Sequence, residues 1–329
     1  MSGRRTNTIF VATFVLMILS APGYLEANEV KEAKLGYVNS LPVDHDLIID
    51  TRNENECQQN SLARAVCIPP SHLIANHNRL ANFSGLFWLL GTAGLTGSEH
   101  VVVVGNKKSA RDFMAGWLYV AGQFRVTVLE TAVSELLEQG LDSAPGQSRS
   151  TTRKAVYTAQ SRTQLLVLKS ELQQYLNLAN LPIIVDGRTE SEYWGYTSNA
   201  IRGGHIPGAM HLENPTTFKA QTDEPVIAYT NDSISGLAYL ARLIASGIDA
   251  KLYLAGWVEW AADGSLPIDA ATYPRRRSHA APATTRSEKP DVIAKEILAQ
   301  FATPVLMLTG ALVLTTFAYY IGRNNRIKA

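Results

Sequence analysis

Buried apolar runs alternate with amphipathic stretches along most of the chain. In the second half, Val226 to Tyr229 predicts a buried strand, a helix follows from about Gly236 to Ser246, and Lys251 to Leu254 predicts another strand. Chains in which strands and helices alternate form parallel sheets that are covered by helices on both faces. The pattern therefore predicts an α/β fold.

This pattern occurs twice. Leu47 to Glu56 (LIIDTRNENE) matches Ile183 to Glu192 (IIVDGRTESE), and Val101 to Gln123 falls where the second half has Val226 to Ile248. Two stretches without apolar periodicity have the composition of linkers. We therefore expect a first domain at residues 28–140, a linker at 141–154, a second domain at 155–272 and a second linker at 273–296.

Both ends of the chain carry apolar runs. Residues 1–27 combine two arginines, a short uncharged run and small residues near a possible cut, which is typical of a signal peptide; an uncleaved anchor is the alternative. Residues 297–322 contain no charge and are long enough for a transmembrane helix, although a buried soluble helix is the alternative. The basic tail at 323–329 favours the cytoplasmic side. We expect a single-pass protein whose body lies outside the cytoplasm, at the periplasmic face in a bacterium.

Composition argues against nucleic acid as a partner. The chain has 329 residues and a net charge of +1, and it lacks a basic stripe interleaved with aromatic residues. It also has no His/Cys cluster with zinc-like spacing and no GxxxxGK[ST] phosphate loop. We therefore expect no metal and no nucleotide cofactor.

Several motifs together resemble the rhodanese superfamily, specifically the tandem-domain sulfurtransferases of the thiosulfate and mercaptopyruvate type. They are a D-x-R motif in each half (Asp50 with Arg52, and Asp186 with Arg188), GHIPGA around His205, and LAGWVEW from Leu254 to Trp260. The resemblance implies two parallel-sheet domains. We assign these residues structural roles: the aspartates end a strand and can cap the next helix, and the arginines can brace that turn by ion pairing.

Active members of this family carry a nucleophilic cysteine where the strand of the second domain meets the loop before the helix. The thiolate attacks a sulfane sulfur and holds it as a persulfide. Here Thr230 lies at that position and Gly105 lies at the equivalent position of the first half. Asp232 in the same loop would repel thiosulfate. The resemblance and this departure favour a non-catalytic binding or scaffold module.

The alternative function is a sulfurtransferase whose thiol comes from Cys57, from Cys67 or from a partner. In the repeat alignment Cys57 falls at Tyr193 and Cys67 at His211, both on core-facing elements. Three states stay open for these residues: buried free thiols, a disulfide, which an oxidising compartment would permit, or a relocated nucleophile.

The first-half loop GNKKSAR is a candidate for anion binding without covalent chemistry. Gly105, Asn106, Lys107, Lys108 and Arg111 combine a tight turn, a helix N-terminus and three cations. A solvated loop is the alternative interpretation. As a third hypothesis, the C-terminal helix could contact a membrane-protein partner through its small residues Thr309, Gly310 and Ala311.

Overall fold

The computed structural model of the chain describes residues 34–75, 79–178, 182–218 and 225–271. All of these residues fall within one compact unit. The predicted signal peptide, second linker, transmembrane helix and tail lie outside the described residues. Among the residues that are described, no helix has both the length and the apolar character needed to cross a membrane.

Fourteen short strands are found in the described residues, and the strands of the two main sheets are largely buried. They are β1 (Lys34–Val38), β2 (Leu47–Asp50), β3 (Ser61–Leu62), β4 (Ala65–Cys67), β5 (Ile74–Ala75), β6 (Arg79–Leu80), β7 (His100–Val104), β8 (Arg125–Leu129), β9 (Ser143–Ala144), β10 (Leu166–Val167), β11 (Ile184–Asp186), β12 (Met210–His211), β13 (Val226–Tyr229) and β14 (Ala250–Tyr253).

Eight α-helices accompany these strands in the described part of the chain. They are α1 (Glu54–Gln59), α2 (Phe83–Ala93), α3 (Lys108–Ala121), α4 (Val133–Glu138), α5 (Lys169–Leu176), α6 (Glu190–Tyr193), α7 (Ser233–Ala245) and α8 (Gly256–Ala262). Short 3-10 helices lie at Pro70–His72, Thr163–Leu165 and Pro215–Thr217.

The two halves contain sheets of the same order. The first sheet runs β1-β8-β7-β2-β4 and the second runs β10-β14-β13-β11-β12, and every neighbouring pair in both is parallel. Continuous β-branched runs such as that of β7 suit central strands that are buried on both faces. The predicted α/β fold with parallel sheets flanked by helices is confirmed.

Strand register also relates individual positions of the two halves. Asp50 pairs with Cys67 across β2 and β4, and Asp186 pairs with His211 across β11 and β12. The repeat alignment had equated Cys67 with His211, and the structure gives these two residues the same place in their sheets.

The predicted bounds of one helix and one strand differ from the structure, as does one predicted capping role. Helix α7 begins at Ser233 instead of about Gly236, because the Asp232 side chain caps it, and it ends at Ala245 instead of Ser246. Strand β14 runs from Ala250 to Tyr253, one residue earlier at each end than predicted. The caps of α1 and α6 are Asn53 and Thr189. The D-x-R aspartates do not cap these helices, because their carboxylates are engaged by the arginine two residues later.

The stretch at 141–154, which the sequence predicts to be a linker, is attached to the first half. Its strand β9 pairs with β3, and the backbone of Gln147 exchanges hydrogen bonds with Ala65 and Cys67 beside β4. These bonds satisfy backbone groups at the sheet edge, which lacks another strand partner there. The segment therefore extends the first half instead of hanging free.

Helices α3 and α7 pack directly against each other and join the two halves. Gly116 lies against the backbone carbonyl of Leu237, so that a Cβ atom there would collide with it. Arg242 of α7 donates to Asp112 (2.8 Å) and Glu130 (2.6 Å), and its guanidinium lies 3.8 Å from the ring centroid of Tyr37. One apolar core includes buried residues of both halves. The two halves thus share a packed interface.

Candidate functional site

A cleft of about 960 Å³ lies between the two halves, beside the N-termini of α3 and α7. Lys107, Lys108 and Asp112 line it from the first half. Arg188, Glu192 and Thr230 are among the residues that line it from the second half. The loop that carries Thr230, at the position where the family's nucleophilic cysteine is expected, therefore opens onto this cleft.

Thr230 lies where β13 ends, and its side chain is engaged within its own loop. The residue is only 4% exposed. Its Oγ1 shares a 2.8 Å hydrogen bond with Ser235 Oγ and lies 3.3 Å from the backbone oxygen of Asp232. The hydroxyl is thus held by neighbours that provide hydrogen bonds but no strong base.

The carboxylate of Asp232 occupies the N-terminus of α7. It accepts hydrogen bonds from the backbone N–H groups of Ile234 (3.0 Å) and Ser235 (2.9 Å) and from Ser235 Oγ (2.8 Å). Free N–H groups and the helix dipole make such an N-terminus attractive to an external anion. Here the carboxylate of Asp232 already occupies the anion-binding position at the N-terminus of α7.

The loop is also fixed from the side of α8 and α6. The backbone N–H of Trp257 donates to the carbonyl of Thr230 (2.7 Å), and Asn231 Nδ2 donates to Glu192 Oε1 (2.7 Å). Burial acts to raise the pKa of Glu192, but hydrogen bonds from Asn231 and Thr189 outweigh it and lower that pKa. Glu192 therefore stays ionised and adds a second negative charge beside the loop.

The D-x-R motif forms the same bidentate pair in both halves. Arg188 donates to both carboxylate oxygens of Asp186, with a shortest distance of 2.5 Å, and Arg52 does the same to Asp50 at 2.6 Å. Burial lowers the pKa of Arg188, but hydrogen bonding and charge interaction with Asp186 outweigh it and raise that pKa. Each pair braces its own turn and ties it to another segment: Arg188 also donates to the carbonyl of Gly204 (2.7 Å), and Arg52 to that of Asn60 (2.6 Å).

His205 lies inside the second half and does not face the cleft. It is 5% exposed, its ring stacks on Tyr193 with centroids 3.7 Å apart, and its Nδ1 lies 2.9 Å from the backbone oxygen of Tyr193. Burial lowers the pKa of His205. The neutral ring acts as a packing element.

Cys57 and Cys67 form a disulfide bond in the first half. Both residues are 0% exposed, and neither lines the cleft. A disulfide has no thiolate to attack a sulfur donor. The structure therefore places both cysteines away from the Thr230 loop and without a free thiol.

The five anion-binding candidates of the first half separate into two groups. The buried Arg111 donates to the carbonyls of Gly105 and Glu130, and Asn106 Oδ1 accepts from Ser134 N–H (3.1 Å). Lys107 and Lys108 are exposed and line the cleft. The side chain of Lys107 does not cap α3, so the N–H groups at the N-terminus of α3 have no side-chain cap. Two lysines at an uncapped helix N-terminus are what the structure retains of the predicted anion site.

Sequence reasoning missed Ser235, Glu192 and Asn231 as parts of the site. Ser235 could have been found, because an Asp followed three residues later by a polar side chain is a signature of a helix start. Glu192 and Asn231 meet across 39 residues of sequence, so no local signal connects them. In the described residues there is also no group of three or more His, Cys, Asp and Glu side chains that could hold a metal ion.

Comparison with known proteins gives a family match in the second half of the chain. A family profile for the rhodanese-like domain matches residues 168–263. No curated protein matches the sequence significantly.

Three solved structures share this fold along most of the chain. An EanB variant in complex with ergothioneine is 18% identical, with 72% of this chain and 67% of that chain covered and a TM-score of 0.57. YnjE is 17% identical, with 71% and 64% covered and a TM-score of 0.58. The anaerobic ergothioneine biosynthesis enzyme from Chlorobium limicola, in complex with trimethyl histidine, is 18% identical, with 71% and 67% covered and a TM-score of 0.57.

The chain thus spans about two thirds of the length of these structures, and at such identities the likeness concerns the fold. The profile match covers the α5 to α8 region, which carries Asp186, Arg188 and the Thr230 loop. Residues 168–263 form a rhodanese-like domain, and the resemblance of this chain to the rhodanese superfamily is confirmed.

Proposed function

We propose that this chain is a membrane-anchored protein with two rhodanese-like domains that acts as a non-catalytic binding module outside the cytoplasm. The observation that carries the proposal is the N-terminus of α7, where Thr230 replaces the expected thiol and the carboxylate of Asp232 accepts the backbone hydrogen bonds. Membrane anchoring and orientation are supported by the apolar run at 297–322 and the basic residues after it.

Sulfur transfer through a persulfide needs a sulfur nucleophile. The thiolate forms an S–S bond to the transferred sulfur, and the donor leaves with the electron pair of the bond that breaks. A threonine oxygen cannot form that S–S bond. The EanB structures include one with a cysteine persulfide, whereas the loop after β13 in this chain carries the hydroxyl of Thr230.

The alternative function is sulfur transfer with a thiol from Cys57, Cys67 or a partner. The native cysteines would first have to be reduced and then exposed, because they are disulfide-bonded and fully buried. Neither residue lines the cleft. A partner thiol would still meet the carboxylate of Asp232 where a donor anion has to bind.

The cleft itself supports a binding role. A volume of about 960 Å³ lies within the range of about 300–1,000 Å³ that small-molecule sites occupy. Lys107 and Lys108 place two positive charges on the first-half wall, which also carries Asp112. The second-half wall carries charges of both signs, from Arg188, Glu192, Glu213 and Arg242. We expect the ligand to be polar and to direct an anionic group towards the two lysines.

Restoring the thiol tests the non-catalytic assignment. The full chain in detergent micelles should transfer no sulfur from thiosulfate to cyanide, and Thr230→Cys should give at most a trace. Asp232→Asn keeps a capping side chain but removes the charge, so Thr230→Cys with Asp232→Asn should give more activity, and Thr230→Cys with Asp232→Arg should also exceed Thr230→Cys alone.

Thr230→Ser with Asp232→Asn is the matched control, because it repeats the change of charge without a thiol. Sulfur transfer by the unmodified chain that disappears on mutation of Cys57 or Cys67 would overturn the non-catalytic assignment. Anchoring is tested separately: protease added outside spheroplasts should degrade the body and leave the tail at 323–329 protected.

A further inference from the structure

One loop of the second half carries large apolar side chains on its surface. We name residues 194–204 the exit loop, because the described chain ends against it. Trp194 is 39% exposed, Tyr196 is 68% exposed and Ile201 is 84% exposed. Three such side chains on one short loop are more than the isolated apolar residues that protein surfaces ordinarily show.

The exit loop is a fixed structure, so these side chains are held outward. Its two ends meet, since a Cβ on Gly195 would lie 2.8 Å from the backbone nitrogen of Gly204. Ser198 Oγ lies within hydrogen-bond distance of the backbone oxygens of Ala200 (3.1 Å) and Arg202 (3.0 Å). In this loop conformation the side chains of Tyr196 and Ile201 are left exposed.

The C-terminal end of the body is clamped to the exit loop. Ala271 N–H donates to the carbonyl of Trp194 (3.0 Å), and Asp269 and His205 exchange backbone hydrogen bonds of 2.9 and 2.7 Å. The sequence then continues through three arginines at 275–277 to the apolar run that starts at Ile297. The segment that leads to the predicted membrane span therefore leaves the body beside the exposed apolar side chains.

The charge of the exit loop suits a lipid surface. It contains no Asp or Glu, and its single charged residue is Arg202. The Arg202 guanidinium donates to backbone oxygens at the end of α8, those of Trp260 (3.1 Å) and Ala261 (2.9 Å) among them. Tryptophan and tyrosine favour the interface between headgroups and acyl chains, because their rings are apolar at one end and polar at the other.

We propose that the exit loop is a membrane-contact surface through which the body rests on the bilayer that anchors it. This inference rests on the proposed membrane anchoring and adds the face that the body turns to the lipid. A tether converts a weak surface contact into an intramolecular one, at an effective concentration on the order of millimolar for short flexible linkers. Three apolar side chains, too few to hold a free protein on a membrane, are therefore sufficient to orient a tethered one.

Lipid quenching of single labels tests this surface. Tyr196→Cys and Ile201→Cys are made in the full chain, labelled with an environment-sensitive fluorophore and reconstituted into vesicles of phosphatidylcholine, with or without phosphatidylglycerol, that contain a lipid nitroxide. The native cysteines are disulfide-bonded and buried, so the label goes to the introduced thiol. Val43→Cys, at a position 99% exposed in the first half, is the matched control.

We expect quenching at both exit-loop positions to be at least twofold greater than at the Val43 position. Equal quenching at the three positions, in protein that floats with the vesicles, would overturn the contact and leave the anchoring intact. Failure to float would overturn the anchoring and the contact together. Label–label energy transfer that grows with the protein-to-lipid ratio, without lipid quenching, would assign the exit loop to a second copy of the chain and also overturn the proposal.

Discussion

The helices α3 and α7 begin at equivalent points of two sheets with the same strand order, but their N-termini carry opposite charges. Asp232 caps α7 with its carboxylate, whereas α3 begins after Lys107, which provides no side-chain cap, and continues with Lys108. Both ends line the same cleft. The comparison teaches that the fold supplies two helix N-termini, and that one or two side chains decide whether each can accept an anion.

The halves also differ in how they hold the helix that follows the D-x-R turn. The first half uses the disulfide between Cys57 and Cys67. The second half has aromatic rings at the equivalent positions, with centroids of Tyr193 and His211 5.3 Å apart. The same pair of backbone positions is thus joined covalently in one half and by ring packing in the other.

The largest expected effect is the loss of the arginine in the D-x-R pair. Arg188→Ala leaves the fully buried Asp186 carboxylate without its counter-ion, and breaking a buried pair in this way costs about 3–5 kcal/mol of the free energy of unfolding. Arg188 also lies 4.5 Å from the ring centroid of Trp257, a contact that adds to the loss.

Arg52→Ala is the matched change in the first half. The side chain of Arg52 is 9% exposed, whereas that of Arg188 is 1% exposed. We expect a smaller loss there, because water can reach the Asp50 pair more easily. Urea unfolding of the full chain, followed by tryptophan fluorescence, measures both. Equal losses would show that exposure does not separate the two pairs.

The next effect concerns the covalent bond. Cys57→Ala with Cys67→Ala should lower the free energy of unfolding by about 2–4 kcal/mol, because an unfolded chain without the bond has more conformations. Tyr193→Phe, which removes only the 2.8 Å hydrogen bond to the carbonyl of Ala209, should cost about 1 kcal/mol. Reductant should shift the unfolding midpoint of the native chain but leave that of the double variant unchanged; a shift in neither would contradict the disulfide.

The two helix N-termini should respond in opposite directions to a change of cap. Asp232→Ala removes the cap of α7 and should cost about 1 kcal/mol, and Lys107→Asp adds a cap to α3 and should stabilise the chain by up to about 1 kcal/mol. Thermal unfolding of the two variants beside the native chain checks the sign. Destabilisation by Lys107→Asp would mean that the lysine has a structural role at its helix N-terminus.

The smallest expected effect is a dependence of stability on pH. Burial lowers the pKa of His205 below its ordinary value of 6.5, so the unfolded chain binds the proton more readily than the folded one. This contribution is present above pH 6.5 and is lost as the pH falls towards the lowered pKa. His205→Gln should flatten the decline of the unfolding midpoint between about pH 7 and pH 5. Burial also lowers the pKa of His72, so His72→Gln is the comparison in the first half; no change of slope in either variant would contradict the assignment.

Much of the fold could be predicted from the sequence, because its signals are local and are repeated. The β13 bounds agree with the prediction, and the repeat alignment placed Cys67 and His211 correctly in their sheets. The start of α7 was missed by three residues although Asp232 and Ser235 mark it. The attachment of 141–154 was missed because β9 and Gln147 pair with β3 and β4 through backbone groups, which leave no trace in the side-chain pattern.

By itself the sequence determined the residue types of the site: a hydroxyl at 230 where a thiol is expected, an aspartate two residues later, and lysines in the other loop. Tertiary structure decided how these groups are used. It joined Cys57 to Cys67, turned Arg111 inward to backbone carbonyls, and brought Glu192 to Asn231 beside Thr230. Residue chemistry is local and can be read from the chain, whereas pairing and burial depend on which distant segments the folded sheets bring together.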